Sequence, residues 1–235
     1  MEVQIAVAKI KKYATSSSGD TVEVVERPHG GLSVVMADGQ SSGHGAKKIS
    51  TLVVRKVISL LAEGVRDGAA ARAASDYLFA ERNGKVSATL NILSVDLHSR
   101  SLVLTRNNPA PALVVTAGAI ITLDEPCKPI GLYRDTRPVI SQFNLDAGLT
   151  AVIFTDGLIF AGERYGRPME IRNSLQYLLD QNITQPESLA DELLAIAMTL
   201  DQNRPSDDIS VVVLGVSSFS GDEVRRMTVR LPLIP

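Results

Sequence analysis

An α+β fold, with antiparallel sheet packed inside helical layers, is what this sequence predicts, and three observations predict it. Short β-branched or alternating apolar runs fill the N-terminal region up to Ala37 and recur over 87–123, 138–155 and 209–216. Two intervening blocks, 46–78 and 171–200, repeat their apolar residues at helical spacing. The resulting order of strands, two helices, strands, two helices and a strand lacks the βαβ alternation of a doubly wound parallel sheet.

Val3–Tyr13 has strand-like apolar content and is followed by the turn-rich run Thr15–Asp20. Thr21–Glu26 alternates, Pro28-His29-Gly30-Gly31 is a turn, and Leu32–Ala37 is apolar, so an early meander of two or three strands is expected. After the glycine- and serine-rich loop Asp38–Gly45, a helical stripe runs through Ile49, Val53, Val57, Leu60 and Leu61. A second stripe uses Ala70, Ala73, Ala74, Tyr77 and Leu78, with Gly64 and a turn at Asp67-Gly68 between the two. Strands follow at Ser87–Leu97 and Leu102–Arg106. Leu113–Thr116 and Ile120–Leu123 form a hairpin through Ala117-Gly118. Pro138–Leu145 and Leu149–Thr155 are further strands. Ile171, Leu175, Leu178 and Leu179 line one helix, and Leu189, Leu193, Ile196 and Leu200 line another, which Pro186 helps to start. Ile209–Val216 reads as a buried strand, and Val224–Leu231 as an extra edge strand. No low-complexity linker divides the chain and no internal repeat is apparent, so one domain is expected.

The 235 residues are 45% apolar and 21% charged, an ordinary globular balance. A net charge of −2 gives no reason to expect nucleic acid, and 4% aromatics without Trp offers little for base stacking. Cys127 alone can form neither an internal disulfide nor a thiolate metal cluster, and reads as a small buried hydrophobe. Met1-Glu2-Val3-Gln4 lacks the basic and apolar regions of a signal peptide, and no apolar run approaches the length of a membrane span. The expectation is a cytoplasmic protein that binds neither nucleic acid nor membrane.

Acidic residues recur at strand ends. Asp38 follows an apolar run and precedes Gly39; Asp156 follows Val152–Thr155 and precedes Gly157; Asp207 and Asp208 precede Ile209–Leu214. Carboxylates gathered at buried strand ends repel one another, and a hard divalent cation such as Mg²⁺ or Mn²⁺ relieves that conflict. Each Asp-Gly taken singly is equally a turn signal. The loop Gly39–Gly45 could present backbone amides to an anion, but no Gly-Lys-Ser/Thr follows as a phosphate-binding loop requires. Lys47 and Lys48 read either as a solvated face or as phosphate ligands.

Four segments in order resemble the metal-dependent protein phosphatases, the protein phosphatase 2C superfamily, and most closely its bacterial SpoIIE-type branch. They are Ser18-Gly19-Asp20, Ala37-Asp38-Gly39 with Gly43-His44-Gly45, Phe154-Thr155-Asp156-Gly157-Leu158, and Ser206-Asp207-Asp208-Ile209-Ser210. Weaker echoes are Asn108-Pro109-Ala110-Pro111, Pro129-Ile130-Gly131 and Tyr165-Gly166. The resemblance implies one domain over residues 1–216 with 217–235 as a C-terminal extension, and a four-layer αββα sandwich, two antiparallel sheets flanked by helix pairs. It also implies hydrolysis of phosphoserine or phosphothreonine by a water that two Mn²⁺ or Mg²⁺ ions activate.

By the same resemblance Asp38 bridges the ions and the Gly39 carbonyl ligates one. Asp156 and Asp207 supply further ligands, Asp208 is a further candidate ligand, and Asp20 acts around a second or third ion. His44 is a candidate general acid by residue type, against the plain reading of a solvated loop histidine. The implied partner is a phosphorylated protein, such as a small anti-sigma-factor antagonist-like regulator. Two extra residues separate Asp38 from Gly43-His44-Gly45 relative to the branch, Asn107-Asn108 stands where Gly-His is usual, and no arginine matches the phosphate-binding one of eukaryotic relatives. Lys11, Lys12 and Arg27 are therefore unassigned. A non-catalytic phosphoprotein-binding module of the same fold and a phosphatase for small phosphoesters are the alternative readings.

Overall fold

The computed structural model describes residues 1–218 and 221–232 of the chain. β1 (Glu2–Ile10), β10 (Ile209–Ser217), β9 (Thr150–Phe154), β6 (Ala112–Thr116) and β7 (Ala119–Leu123) form one sheet in that order. β2 (Asp20–Glu26), β3 (Leu32–Gly39), β4 (Ala88–Asp96), β5 (Ser101–Asn107) and β8 (Val139–Asn144) form the other, and every pairing in both is antiparallel.

Burial shows why β10 reads as an unbroken apolar run. Val212 and Leu214 face the other sheet, where they meet Val34, Met36, Leu93 and Leu104. Val211 and Val213 face outward and pack with Leu175, Leu189 and Leu193 of α4 (Ile171–Asp180) and α5 (Pro186–Leu200). On the opposite side, Val35, Leu90 and Ile92 turn away from the sandwich centre toward Val53, Val57 and Leu61 of α1 (Gly43–Ala62) and Ala74 and Leu78 of α2 (Asp67–Arg82). Period-2 strands buried on both faces between period-3.6 helices give the expected αββα sandwich.

The early meander forms with two strands and not three. β2 pairs with β3, but β1 pairs with β10, with Lys9 opposite Ser210 and Ile10 opposite Ile209. The segment from Lys11 to Gly19 is too long for a tight hairpin loop, so it leaves β1 free to join a strand from the far end of the chain. The hairpin between β6 and β7 is formed, with Ala117 (φ 48°) and Gly118 (φ 77°) both left-handed as a two-residue primed turn requires.

Asp67-Gly68 is not a turn either. The pair opens α2, and Asp67 is buried, its Oδ1 accepting a hydrogen bond from Arg27 Nη1 at 2.9 Å. Arg27 Nη2 also donates to the Val65 carbonyl at 3.1 Å. Arg27 thus holds the α1–α2 connection against the β2–β3 turn. Asp67→Ala is expected to cost about 3 kcal/mol, the lower end of the cost of breaking a largely buried ion pair. Urea unfolding of the single variants and of Asp67→Ala/Arg27→Met checks this, because removing both partners should cost less than the sum.

The edge strand expected at Val224–Leu231 does not form. Residues 221–232 carry no regular structure and are exposed, whereas Arg225 reaches Glu26 at 3.6 Å and Arg230 reaches Glu187 at 3.2 Å. The apolar residues Val224, Met227, Val229 and Leu231 stay exposed, so the segment buries too little apolar surface to hold a strand. Residues 219–220 and 233–235 of the expected extension lie outside the described residues. Among the described residues no helix is long and apolar enough to cross a membrane.

Candidate metal centre

β2 and β3 bring the first two carboxylates together. Asp20 and Asp38 are register partners across the two strands, each at the strand end nearest α1. Asp156 enters from the other sheet, as the first residue of the single-turn helix α3 (Asp156–Phe160) directly after β9. Asp207 arrives on the loop before β10. Asp38, Gly39, Asp156 and Asp207 line one cleft of about 490 Å³, with Gln40, Ser41, Ser42, Ser87, Thr89 and Pro129 along its flank. Lys12 is the single cation lining it.

Neither Asp-Gly pair in the cleft is a hairpin turn; both glycines allow backbones to touch. A Cβ on Gly39 would stand 2.1 Å from the Ala46 carbonyl oxygen of α1, and one on Gly157 would stand 2.1 Å from the Asp208 carbonyl oxygen. Glycine is therefore required where strand end and helix start close on each other. The Pro129-Ile130 segment is fixed beside them, because Ile130 exchanges backbone hydrogen bonds with Ala88, the register partner of Gly39.

The carboxylates strain one another. Burial, followed by the charges of Asp20, Asp156 and Asp207, raises Asp38 to about 9. Burial also raises Asp20, to about 6, against hydrogen bonds from Ser210 and Thr155 and the charge of Lys9. Asp156 is raised by burial and by Asp207. A protein that only needed a stable fold would gain by replacing such a cluster with neutral groups.

Asp20 is fully buried. Its Oδ2 accepts from Ser210 Oγ at 2.6 Å and Thr155 Oγ1 at 3.1 Å, while its Oδ1 has no partner. Its backbone carbonyl accepts from both Lys9 Nζ and Lys47 Nζ. Lys47 also donates to Thr21 Oγ1 at 2.8 Å, so it is neither a solvated side chain nor free for phosphate. Burial lowers the pKa of both lysines, and in Lys9 the neighbouring Lys47 adds to this. Sequence reasoning missed Lys9, Thr155 and Ser210 as supports. The signals were a charge inside the apolar strand Val3–Ile10 and hydroxyls at the ends of two buried strands.

Asp208 departs from its expected place. It does not line the cleft, and its two oxygens are taken by backbone amides, Oδ1 by Lys12 N at 2.9 Å and Oδ2 by Gly19 N at 2.7 Å. It fixes the Lys11–Gly19 loop, because a buried carboxylate takes two amide donors in preference to none. Asp201, which sequence reasoning did not single out, does the same work elsewhere. Its buried carboxylate accepts from Gly162 N at 2.8 Å and Ser206 N at 2.9 Å, tying the segment after α3 to the loop that carries Asp207. Asn108 Nδ2 donates to the Phe154 carbonyl at 3.1 Å, steadying the end of β9. Cys127 is half-buried, with Sγ 3.1 Å from the Asn108 carbonyl. His44 stands exposed on the first turn of α1 and is not among the residues lining the cleft.

Among the described residues no three His, Cys, Asp or Glu side chains are already drawn into a closed metal-ligand cluster. The donor set nevertheless fits divalent cations. The donors are hard oxygens, their mutual repulsion is unrelieved, and one buried carboxylate oxygen lacks any partner.

Comparison with known proteins agrees with this architecture. The family model for stage II sporulation protein E (SpoIIE) matches residues 28–217. No curated protein matches the sequence. The chain superposes on the structure of the PP2C phosphatase domain and a regulatory fragment of SpoIIE from Bacillus subtilis with a TM-score of 0.80 at 20% identity, covering 94% of this chain and 64% of that one. It matches the RsbU and RsbW domains of Rv1364c from Mycobacterium tuberculosis with a TM-score of 0.74 at 20% identity, over 93% of this chain and 61% of that one. The catalytic domain of the serine/threonine protein phosphatase PstP, solved with two manganese ions, gives a TM-score of 0.67 at 17% identity, over 92% and 99%. At these identities the solved structures establish the fold, and the family model adds the lineage. With its two five-stranded sheets and acidic cleft, the chain belongs to the SpoIIE family, a SpoIIE-type domain on the PP2C phosphatase fold.

Proposed function

We propose that this domain hydrolyses phosphoserine or phosphothreonine in a protein substrate, with two Mn²⁺ or Mg²⁺ ions held by Asp38, the Gly39 carbonyl, Asp156 and Asp207, and Asp20 serving a second or third ion. The observation that carries the reading is the convergence of Asp38, Asp156 and Asp207 on one cleft, with the buried Asp20 paired to Asp38 across β2 and β3. Bound there, divalent cations supply Lewis-acid charge for the phosphoryl oxygens and an acidified water as nucleophile. The chain's own residues arrange the rest. The O–P bond to water forms as the ester O–P bond breaks, and the proton that the water gives up passes to the departing seryl or threonyl oxygen. Ser210, Thr155, Lys9 and Lys47 hold Asp20 in place, and Asp208 and Asp201 fix the loops that carry Lys12 and Asp207.

Hydrolysis of p-nitrophenyl phosphate and a phosphoserine peptide, with Mn²⁺ and with chelator, tests the reading. Metal-dependent turnover of both supports it. Turnover of the small ester alone would move the assignment to small phosphoesters, and no turnover with retained phosphopeptide binding would make the domain a binding module. The cellular substrate we propose is a small phosphorylated regulator of the anti-sigma-factor antagonist type, in a cytoplasmic bacterial signalling pathway. The likeness to a chain carrying RsbU and RsbW domains supports this choice.

Lys12 has a role in this reading. As the cation lining the cleft, it meets the phosphoryl oxygens, and the Asp208 carboxylate fixes its backbone. A hydrogen bond to a charged group contributes about 1.5–3 kcal/mol, so Lys12→Met should lower kcat/KM for the phosphopeptide by roughly 10- to 100-fold. Lys12→Arg should retain most of the activity. Steady-state kinetics on both variants, with inhibition by inorganic phosphate, measures the effect.

A further inference from the structure

The outer face of α1 carries a second concavity, and its lining shares no residue with the acidic cleft. The inward stripe Ile49, Val53, Val57 and Leu61 is buried in the core. On the other side of the helix Lys48, Leu52, Arg55 and Lys56 fall at i, i+4, i+7 and i+8, so they form one stripe. With Tyr77 of α2 and Lys47 they bound a groove of about 600 Å³ that contains four cations and no carboxylate.

Among the described residues no ion pair reaches that charge. The ion pairs among them are Arg27–Asp67, Arg225–Glu26, Arg226–Asp222 and Arg230–Glu187, and none includes a groove residue. Lys47 is committed to the Asp20 carbonyl, which leaves Lys48, Arg55 and Lys56 for a ligand. The chain as a whole is acidic, at −2, so this cluster of one sign is local. The groove is apolar as well as cationic. Leu52 is half-buried, Tyr77 is 38% exposed, and Lys56 Nζ lies 5.5 Å from the Tyr77 ring centroid.

We propose that this groove docks an acidic segment of a partner protein, with an apolar side chain seated on Leu52 and Tyr77 and carboxylates paired with Lys48, Arg55 and Lys56. Charge complementarity selects an anionic occupant, and like charges crowded in one groove repel until one arrives. The concave apolar floor favours a side chain over a flat lipid surface. Three available cations are too few for the string of phosphate contacts on which nucleic-acid affinity rests. Lys47, which lines the groove and also holds Asp20, is the one link to the proposed catalysis, and the docking of an acidic segment on Lys48, Arg55 and Lys56 stands without that reading.

The test is a binding measurement on the full chain, with and without Mn²⁺, that uses no turnover. A fluorescein-labelled peptide of alternating Glu and Leu is titrated and followed by anisotropy. Lys/Leu peptide, phosphatidylserine vesicles and oligo-dT serve as competing probes. Saturable binding of the Glu/Leu peptide is expected, weakening with salt as exposed charge pairs do. Arg55→Glu/Lys56→Glu should weaken it roughly tenfold or more, and Tyr77→Ala by a smaller factor. Circular dichroism confirms that the variants fold, and Lys48→Glu provides an independent charge reversal. Equal binding by the charge-reversed variants, equal binding of the Lys/Leu peptide, or tighter binding of vesicles or oligo-dT overturns the proposal.

Discussion

Replacing Asp38 by alanine is expected to lower Mn²⁺-dependent hydrolysis of p-nitrophenyl phosphate by at least about a thousandfold, the upper range for losing one principal electrostatic element of a transition state. Asp156→Ala should do the same from the other sheet. Both residues line the cleft that Gly39 and Asp207 complete, and neither contributes to the apolar cores. The variants should therefore keep the far-ultraviolet circular dichroism of the parent. A loss of activity that accompanied unfolding would say nothing of chemistry, so the spectrum is part of the measurement. Undiminished turnover by either variant, or parental turnover in excess chelator, would overturn the proposed mechanism.

The second large effect is on stability, and its sign is opposite to that of most core substitutions. In metal-free protein Asp38→Asn should raise the melting temperature at pH 8. The folded protein holds the Asp38 proton up to about 9, whereas the unfolded chain releases it near the ordinary value of 3.8. A raised carboxyl pKa gives stability that is complete below the unfolded value and lost as pH rises toward the folded one. Metal-free wild type should accordingly become less stable from about pH 4 to 9, with Asp20, raised to about 6, adding to the fall at its acid end.

Asparagine keeps the shape and removes the charge. Its melting curve should be flatter with pH and lie several degrees above wild type at pH 8, at about 2–4 °C per kcal/mol for a domain of this size. Saturating Mn²⁺ should reverse the order, raising wild type by about 2.7 kcal/mol at a hundredfold excess over Kd and leaving the variant nearly unmoved. Proton release on Mn²⁺ addition, measured in weakly buffered solution, checks the linkage independently of activity. If metal-free wild type were equally stable at pH 5 and pH 8, the carboxylates would not be crowded in solution.

Much of the site was legible before any coordinates, because its residues sit in short motifs at the ends of strongly patterned strands. Asp38, Asp156 and Asp207 could be selected on that ground, and the structure brings all three to one cleft. The individual Asp-Gly signals were ambiguous. The turn reading fails at all three pairs, since Asp38-Gly39 ends a strand and the other two open helices. Turn propensity is local, and at these positions contact with a distant backbone overrides it. Asp208 shows the complementary limit: two adjacent aspartates share one motif, yet one lines the cleft and the other is consumed by amides of the Lys11–Gly19 loop.

Sequence alone determined the α+β class, the hairpin at Ala117-Gly118, the helical stripes and the buried strand Ile209–Val216. Each is a matter of periodicity, and periodicity is written in consecutive residues. Tertiary structure decided that β1 joins β10, that Arg27 serves Asp67, that Lys9 and Lys47 hold Asp20, and that acids from three segments share one cleft. Those facts depend on which distant groups the two sheets bring within a few ångströms. Desolvation and charge repulsion act through that distance, whatever the separation along the chain.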